Sequence, residues 1–188
     1  MIIFGVTGQP SSGKDTVAEH LASLGFFHIP TANLIREEMR EKGIPTDRAH
    51  TSTFAIECRK ERGAGYLAEI AVNKIKKNKS DRNVVSGLRN TAEVESLKKA
   101  FGKDFVMLAV EAPIEARYSW VVGRNRTGDN ISFEQFKAEE EKERSGDKNT
   151  HQVDAVISMA DKVILNDGTR DELLKKVGDL AKDFSGSN

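Results

Sequence analysis

A glycine-rich segment between an apolar run and a helical pattern constrains this chain more than any other feature. Residues 8–16 read Gly-Gln-Pro-Ser-Ser-Gly-Lys-Asp-Thr, directly after the β-rich run at residues 2–6. The glycines of this Gly-x4-Gly-Lys skeleton allow a tight turn that brings successive backbone N–H groups within reach of phosphate oxygens. The positive end of the following helix favours the same charge, and Lys14 adds a mobile cation. The segment predicts a P-loop rather than an accidental glycine-rich turn.

The loop departs from the common pattern at Asp15, where a Ser or Thr hydroxyl usually ligates magnesium. A carboxylate beside a polyphosphate repels it unless a cation intervenes, so we expect Asp15 to face the water shell of the metal or the acceptor. The loop implies a nucleoside triphosphate bound with Mg²⁺, with Asp15 and Thr16 as candidate metal ligands, and leaves open whether that nucleotide is ATP or GTP. The loop residues predicted to bind nucleotide are Gly8, Ser11, Ser12, Gly13, Lys14, Asp15 and Thr16.

Short apolar runs alternate with helical periodicity along the rest of the chain. This alternation is typical of an α/β fold in which helices cover both faces of a parallel sheet. Three capping boxes mark further helix starts, at Asn90 with Glu93, Ser132 with Gln135, and Thr169 with Glu172. Another helix is predicted over residues 33–42. Five strands are predicted, at residues 2–6, 26–29, 83–86, 105–110 and 162–165.

Composition narrows the class of protein. The 188 residues carry 29 Lys+Arg and 29 Asp+Glu, and this balance argues against a general nucleic-acid binder. One cysteine, Cys58, excludes a disulfide framework or a thiolate metal site and favours a reducing compartment. No stretch approaches the ~20 apolar residues of a membrane span. We expect a soluble, cytoplasmic protein.

Two motifs carry a resemblance to a known family. Gly-x-Pro-x-Ser-Gly-Lys-x-Thr at residues 8–16 resembles the P-loop of adenylate-kinase-like nucleoside monophosphate kinases, which have glycine in place of Asp15. Residues 31–36, Thr-Ala-Asn-Leu-Ile-Arg, resemble their Thr-Gly-Asp-x-Leu-Arg acceptor motif without its central Gly-Asp. Residues 84–89 are similar to a group of prokaryotic adenylate-kinase-like proteins, and residues 160–169 look like the C-terminal signature of dephospho-coenzyme A kinases.

The resemblance implies a three-layer P-loop fold with a five-stranded parallel sheet and one domain over residues 1–184. The core would comprise residues 1–30, 80–116 and 149–184. An acceptor-binding helical insert would occupy about 31–79, and a lid about 117–148. Residues 185–188 would be a frayed tail.

Phosphoryl transfer depends on positive charge aimed at the transferring oxygens, and arginine suits this because its planar fork engages phosphate bidentately. The candidate catalytic residues are Lys14, Arg89, Arg124 and Arg126. The candidates for acceptor binding are Thr31, Arg36, Arg89 and Arg117. Arg124, Asn166 and Gly168 are further candidates for nucleotide binding. The charged run at residues 139–144, which begins with three glutamates, is predicted to be a solvated helix face rather than a metal site.

These features favour an ATP-dependent kinase whose acceptor is a small phosphate-bearing molecule, a nucleoside or deoxynucleoside monophosphate. An acceptor phosphate is itself the nucleophile, so no general base is required. A dephospho-coenzyme A kinase is the nearest alternative, because Asp15 could assist an attacking ribose hydroxyl. An ATPase switch that binds RNA or a protein partner is the alternative from another class.

Overall fold

The computed structural model describes residues 1–124, 131–144 and 150–185, apart from the side chains of Arg48 and Ser185. Five strands and nine α-helices lie in these ranges. The strands are β1 (Ile2–Thr7), β2 (Phe27–Pro30), β3 (Arg82–Ser86), β4 (Phe105–Glu111) and β5 (Lys162–Leu165). The helices are α1 (Lys14–Ser23), α2 (Thr31–Glu41), α3 (Arg48–Arg62), α4 (Tyr66–Asn78), α5 (Thr91–Phe101), α6 (Ile114–Arg124), α7 (Phe133–Arg144), α8 (Val153–Ser158) and α9 (Arg170–Ser185).

The sheet is entirely parallel, in the order β2-β3-β1-β4-β5. The predicted α/β fold is confirmed, and each strand begins and ends within one residue of its predicted bounds. Because β1 lies between β3 and β4, the segment that follows it opens at the centre of the carboxyl edge. Open parallel sheets bind their ligands at this edge.

Two hydrophobic cores lie on opposite faces of the sheet. Successive residues of β1 point to opposite faces, so Ile3 packs beneath α2–α5 and α8, whereas Phe4 packs beneath α1 and α9. Both side chains are fully buried. A strand buried on both faces reads as a continuous apolar run, which is why its sequence shows no alternation.

All three predicted capping boxes form. The Asn90 box opens α5. Ser132 N donates to Gln135 at 2.9 Å and Gln135 N donates to Ser132 at 3.2 Å, immediately before α7. The corresponding Thr169–Glu172 distances, before α9, are 2.7 and 3.3 Å. The helix predicted over 33–42 begins earlier, at Thr31, with Pro30 as its N-cap.

Two groups of helices lie in or near the segments predicted as the insert and the lid. In the sequence, α2, α3 and α4 lie between β2 and β3, within the predicted insert, whereas α6 and α7 follow β4. None of the helices described combines the length and apolar character that crossing a bilayer requires.

Candidate functional site

The loop from Gly8 to Lys14 turns sharply at the end of β1. Ser11 and Gly13 adopt positive φ values of 62° and 96°, and α1 begins at the next residue, Lys14. A side chain at Gly13 would place its Cβ 2.6 Å from Asn166 Nδ2. The residue that follows the last strand therefore packs directly against the loop and requires glycine there.

The centre of the loop contains an unsatisfied hydroxyl. Ser12 is fully buried, and its Oγ has no hydrogen-bond partner among the residues that the structure describes. A Cβ added at Gly8 would overlap both this Oγ and the carbonyl oxygen of Val110. Because a buried hydroxyl without a partner is destabilising, the arrangement fits an anionic group that accepts its hydrogen bond. The residues present thus fit the phosphates of a nucleotide.

Lys14 has both acidic and basic side chains near it. The residue is only 7% exposed, and burial lowers the pKa of its ammonium. Asp15 and Glu143 raise this pKa, whereas Arg89 and Arg124 lower it. The fold therefore brings four of the predicted site residues within electrostatic range of one another. The two acidic and two basic neighbours cancel, so the net positive charge of this group is that of Lys14 itself, which favours a polyphosphate.

Asp15 and Thr16 occupy the first turn of α1, where Asp15 is exposed and Thr16 half-buried. Their carboxylate and hydroxyl oxygens are hard ligands of the kind that Mg²⁺ prefers, and Mg²⁺ usually keeps several waters and substrate phosphates as its remaining ligands. No cluster of three or more His, Cys, Asp or Glu side chains suited to a metal lies within residues 1–124, 131–144 and 150–185. Any magnesium here would be held jointly with a nucleotide.

Arg89 follows β3 and is held from several sides. Its Nη1 donates to Glu143 Oε2 at 2.8 Å and lies 3.4 Å from Nδ1 of His151. Its backbone N–H donates to Glu93 at 2.9 Å, and its carbonyl oxygen accepts from Gln152 N at 2.7 Å. The side chain is 30% exposed. A carboxylate from α7 thus engages the guanidinium that sequence analysis assigned to phosphate.

The predicted acceptor residues Thr31 and Arg36 lie on the first turns of α2. Thr31 is buried and donates to the carbonyl oxygen of Gly87 at 2.9 Å, two residues before Arg89. Arg36 is half-buried, and its Nη1 lies 3.5 Å from Asn33 Oδ1 in the same helix. The start of α2 is therefore tied to the loop that carries Arg89.

Arg117 forms a buried ion pair with Glu140 of α7 and lies 4% exposed. The two side chains meet bidentately, and the Nη2–Oε1 distance is 3.0 Å. The guanidinium also donates to the carbonyl oxygens of Ala112, at 2.9 Å, and Pro10, at 3.2 Å. These contacts join α6, α7 and the P-loop. The acceptor role of Arg117 stays a prediction.

Sequence analysis was wrong about Glu140, which it assigned with its neighbours to a solvated face. Glu139 and Glu141 are exposed, but Glu140 is only 5% exposed. It pairs with Arg117, whose guanidinium carbon lies 5.8 Å from the ring centroid of Phe136. A charge can be buried here because Arg117 compensates it.

The remaining candidates follow β4 and β5. Asn166 is buried and donates from Nδ2 to the carbonyl oxygen of Ser12 at 2.9 Å, so its side chain supports the P-loop. Gly168 precedes the capping box of α9, and a Cβ there would overlap Glu172. Arg124 is exposed at the end of α6. Arg126 lies outside the described residues.

Several contributors were missed by sequence analysis. Glu93 was recognised only as a capping residue, and Glu143 only as part of a charged run. The ion-pair partner of Glu93 lies 34 positions away in the sequence, and that of Glu143 lies 54 positions away. No local pattern could therefore identify either partner. The missed residues that contact the candidate site or its supports are Arg59, Glu93, Glu140, Glu143 and His151.

Comparison with known proteins places the chain in a family. A family described as an AAA domain matches residues 7–137. A UPF0200 protein of Thermococcus gammatolerans is 32% identical over 181 residues, which cover 94% of this chain and 92% of the relative. One from Methanosarcina mazei is 35% identical and covers 77% and 78% of the two chains. The chain belongs to the UPF0200 family. It spans about half of a UPF0200/UPF0201 protein of Archaeoglobus fulgidus, which is 32% identical.

This UPF0200 protein also resembles several solved structures in its fold. TT1252 from Thermus thermophilus superposes with a TM-score of 0.63 at 20% identity, covering 98% of both chains. Shikimate kinase from Acinetobacter baumannii, solved with shikimate, gives 0.57 at 16% identity, covering 100% of this chain and 96% of that one. The chain therefore shares its fold with shikimate kinase.

Proposed function

We propose that this protein is an ATP-dependent kinase that transfers a phosphoryl group to a small phosphate-bearing acceptor, a nucleoside or deoxynucleoside monophosphate. The observation that carries the proposal is the meeting of Lys14, the unsatisfied Ser12 hydroxyl and Arg89 at the carboxyl ends of β1 and β3. One loop offers donors for a polyphosphate, and an arginine just beyond the neighbouring strand supplies a second anion-binding group.

The roles divide between the two sides of the cleft. Lys14 and the loop amides bind the outer phosphates of the donor, while Asp15 and Thr16 would hold Mg²⁺ or its waters. Magnesium would neutralise charge that develops on those phosphates. Arg36 and Arg89 bind the acceptor and orient its phosphate, and Thr31 fixes the start of α2 beside them. Arg124 and Arg126 would close over the donor from residues 117–148, which excludes water.

No residue needs to remove a proton from a phosphate acceptor. An acceptor phosphate is already ionised at neutral pH and attacks directly, so catalysis consists of positioning and electrostatic stabilisation. A hydroxyl acceptor would require a base beside the attacking oxygen. The exposed Asp15 carboxylate is the candidate on α1, which keeps dephospho-coenzyme A kinase as the alternative.

A coupled ADP-release assay tests this proposal. Purified protein, ATP and Mg²⁺ are combined with a panel of ribo- and deoxyribonucleoside monophosphates, dephospho-coenzyme A and shikimate. We expect turnover that depends on a monophosphate and is abolished in Lys14→Ala. Lys182→Ala, an exposed lysine of α9, is the matched control that keeps full activity.

The same panel separates the alternatives. Turnover with dephospho-coenzyme A alone would transfer the assignment to that kinase, and turnover with shikimate alone to a hydroxyl acceptor. Slow hydrolysis that no panel member stimulates would reject a small-molecule kinase and favour the ATPase switch.

A further inference from the structure

The loop that carries Arg89 rests on a buried ion pair. Arg59 of α3 donates from Nη2 to Glu93 Oε1 at 3.0 Å, and the side chains are 3% and 0% exposed. Glu93 Oε2 accepts from the backbone amides of Arg89, at 2.9 Å, and Asn90, at 3.2 Å. We propose that Arg59 is a positioning residue that fixes Glu93, and through it Arg89, in register with the helical insert.

A capping role alone does not explain this pair. Gln135 and Glu172 complete the other two capping boxes from exposed positions. Glu93 performs the same capping task while fully buried, with a partner 34 residues away in sequence. Because burying an ion pair costs desolvation that its attraction only partly offsets, stability is a weak reason for such a pair. Fixing the geometry of a neighbouring group is a better one.

The two partners depend on each other for their orientation. Nε and Nη1 of Arg59 are buried and have no partner among the residues that the structure describes, so Glu93 is the group that orients the guanidinium. In turn, Oε1 of Glu93 bonds Arg59, whereas Oε2 bonds the two loop amides. A rotation of the guanidinium therefore changes the acceptor presented to the amide of Arg89.

The insert is joined to α5 at the same place. Glu38 of α2 bonds Arg62 of α3 at 2.6 Å and also Tyr66 of α4, which ties the three helices together. A Cβ at Gly65 would lie 2.5 Å from Ser96 Oγ, so the start of α4 packs closely on α5. Movement of the insert consequently reaches Glu93 through Arg59 and through this packing.

The effect expected of Arg59 on acceptor kinetics rests on the proposed function. Its effect on the bonds that Glu93 makes does not. Hydrogen exchange of the Arg89 and Asn90 amides reports the Glu93 bonds without any substrate. We expect Arg59→Met to accelerate exchange of these two amides about tenfold or more relative to wild type, because the carboxylate is no longer held. Arg59→Lys, which keeps the charge, recovers part of the protection.

Arg62→Met is the matched control. It removes an arginine of the same helix that bonds Glu38 and Tyr66, and it leaves in place both the Arg59–Glu93 pair and the packing of Gly65 on Ser96. We expect the amides of residues 89 and 90 to exchange as in wild type. Equal acceleration in Arg62→Met, or unchanged exchange in Arg59→Met, would overturn the proposal.

Kinetics then test the coupling to the acceptor. Arg59→Met should lower kcat/KM for the monophosphate by about 10- to 100-fold, as small displacements of a positioning group do, while KM for ATP changes less than about twofold. The neutral pair Arg59→Met with Glu93→Gln avoids an unpaired buried charge and should show the same acceptor defect. An equal loss for both substrates would contradict positioning. If no acceptor supports turnover, the proposed function fails, and the exchange experiment still decides the role of Arg59.

Discussion

The P-loop and the arginines that surround it are held in place in different ways. The loop takes its shape from residues close in sequence, with positive φ values at Ser11 and Gly13 and a helix that begins at once. Arg89 and Arg117 are oriented by carboxylates 54 and 23 residues away. The backbone turn of the P-loop is thus set locally and is supported from a distance by Asn166 and Arg117, whereas the arginines depend on the assembled fold for their orientation.

The largest effect is expected from separating Arg117 and Glu140. Removing either partner leaves a buried charge, so Arg117→Met or Glu140→Gln should lower the free energy of unfolding by about 3–5 kcal/mol. Urea denaturation measures the change. The double variant, which buries no lone charge, should recover much of the loss, and a double variant as unstable as the sum of the singles would contradict the pair.

Gly8→Ala should disturb the P-loop while leaving the ion pairs of Arg89 and Arg117 intact. The added Cβ overlaps Ser12 Oγ and the carbonyl oxygen of Val110, and such overpacking costs about 1–3 kcal/mol. We expect ATP affinity to fall about tenfold or more by titration calorimetry. Gly178→Ala in α9, whose Cβ would meet nothing closer than 3.8 Å, is the control that should bind ATP normally.

Glu143→Gln should have a smaller effect, and it should strengthen ligand binding rather than weaken it. In the proposed site, Glu143 would compete with a phosphate for Arg89, and partly exposed ion pairs of this kind contribute up to about 1 kcal/mol. Inorganic phosphate should therefore bind up to about fivefold more tightly, as measured by calorimetry, whereas Glu139→Gln on the same helix should not change it. Weaker phosphate binding would mean that Glu143 supports the ligand.

The smallest effect concerns Glu38, which ties the insert together away from the P-loop. Its bond to Arg62 lowers the pKa of this carboxyl to about 2. A depressed pKa contributes stability above the ordinary value of 4.5, and this contribution is lost as the pH falls toward 2. Glu38→Gln should cost on the order of 1 kcal/mol at pH 7. The difference from wild type should shrink below pH 4.5, and a difference independent of pH would exclude the ion pair as its cause.

Features that depend on residues close in sequence were predicted better than contacts between distant residues. Strand bounds and capping boxes were predicted well because each depends on residues a few positions apart, such as Thr169 with Glu172. The partners of Arg59 and Arg117 could not be predicted, because 29 acidic residues are chemically equivalent candidates until the fold selects one. Glu140 shows the difficulty, since its exposed neighbours carry the same side chain.

The bond between Asn166 and Ser12 has a consequence for how the protein is made. It joins residues 154 positions apart, and Gly13 is packed against the same amide. A chain emerging from the ribosome displays the whole glycine-rich motif early, but the support for its loop arrives only when β5 and the following residue are available. Closing so long a loop has a high entropic cost before the contact forms. We therefore expect competence for nucleotide binding to develop only after Asn166 has left the ribosome.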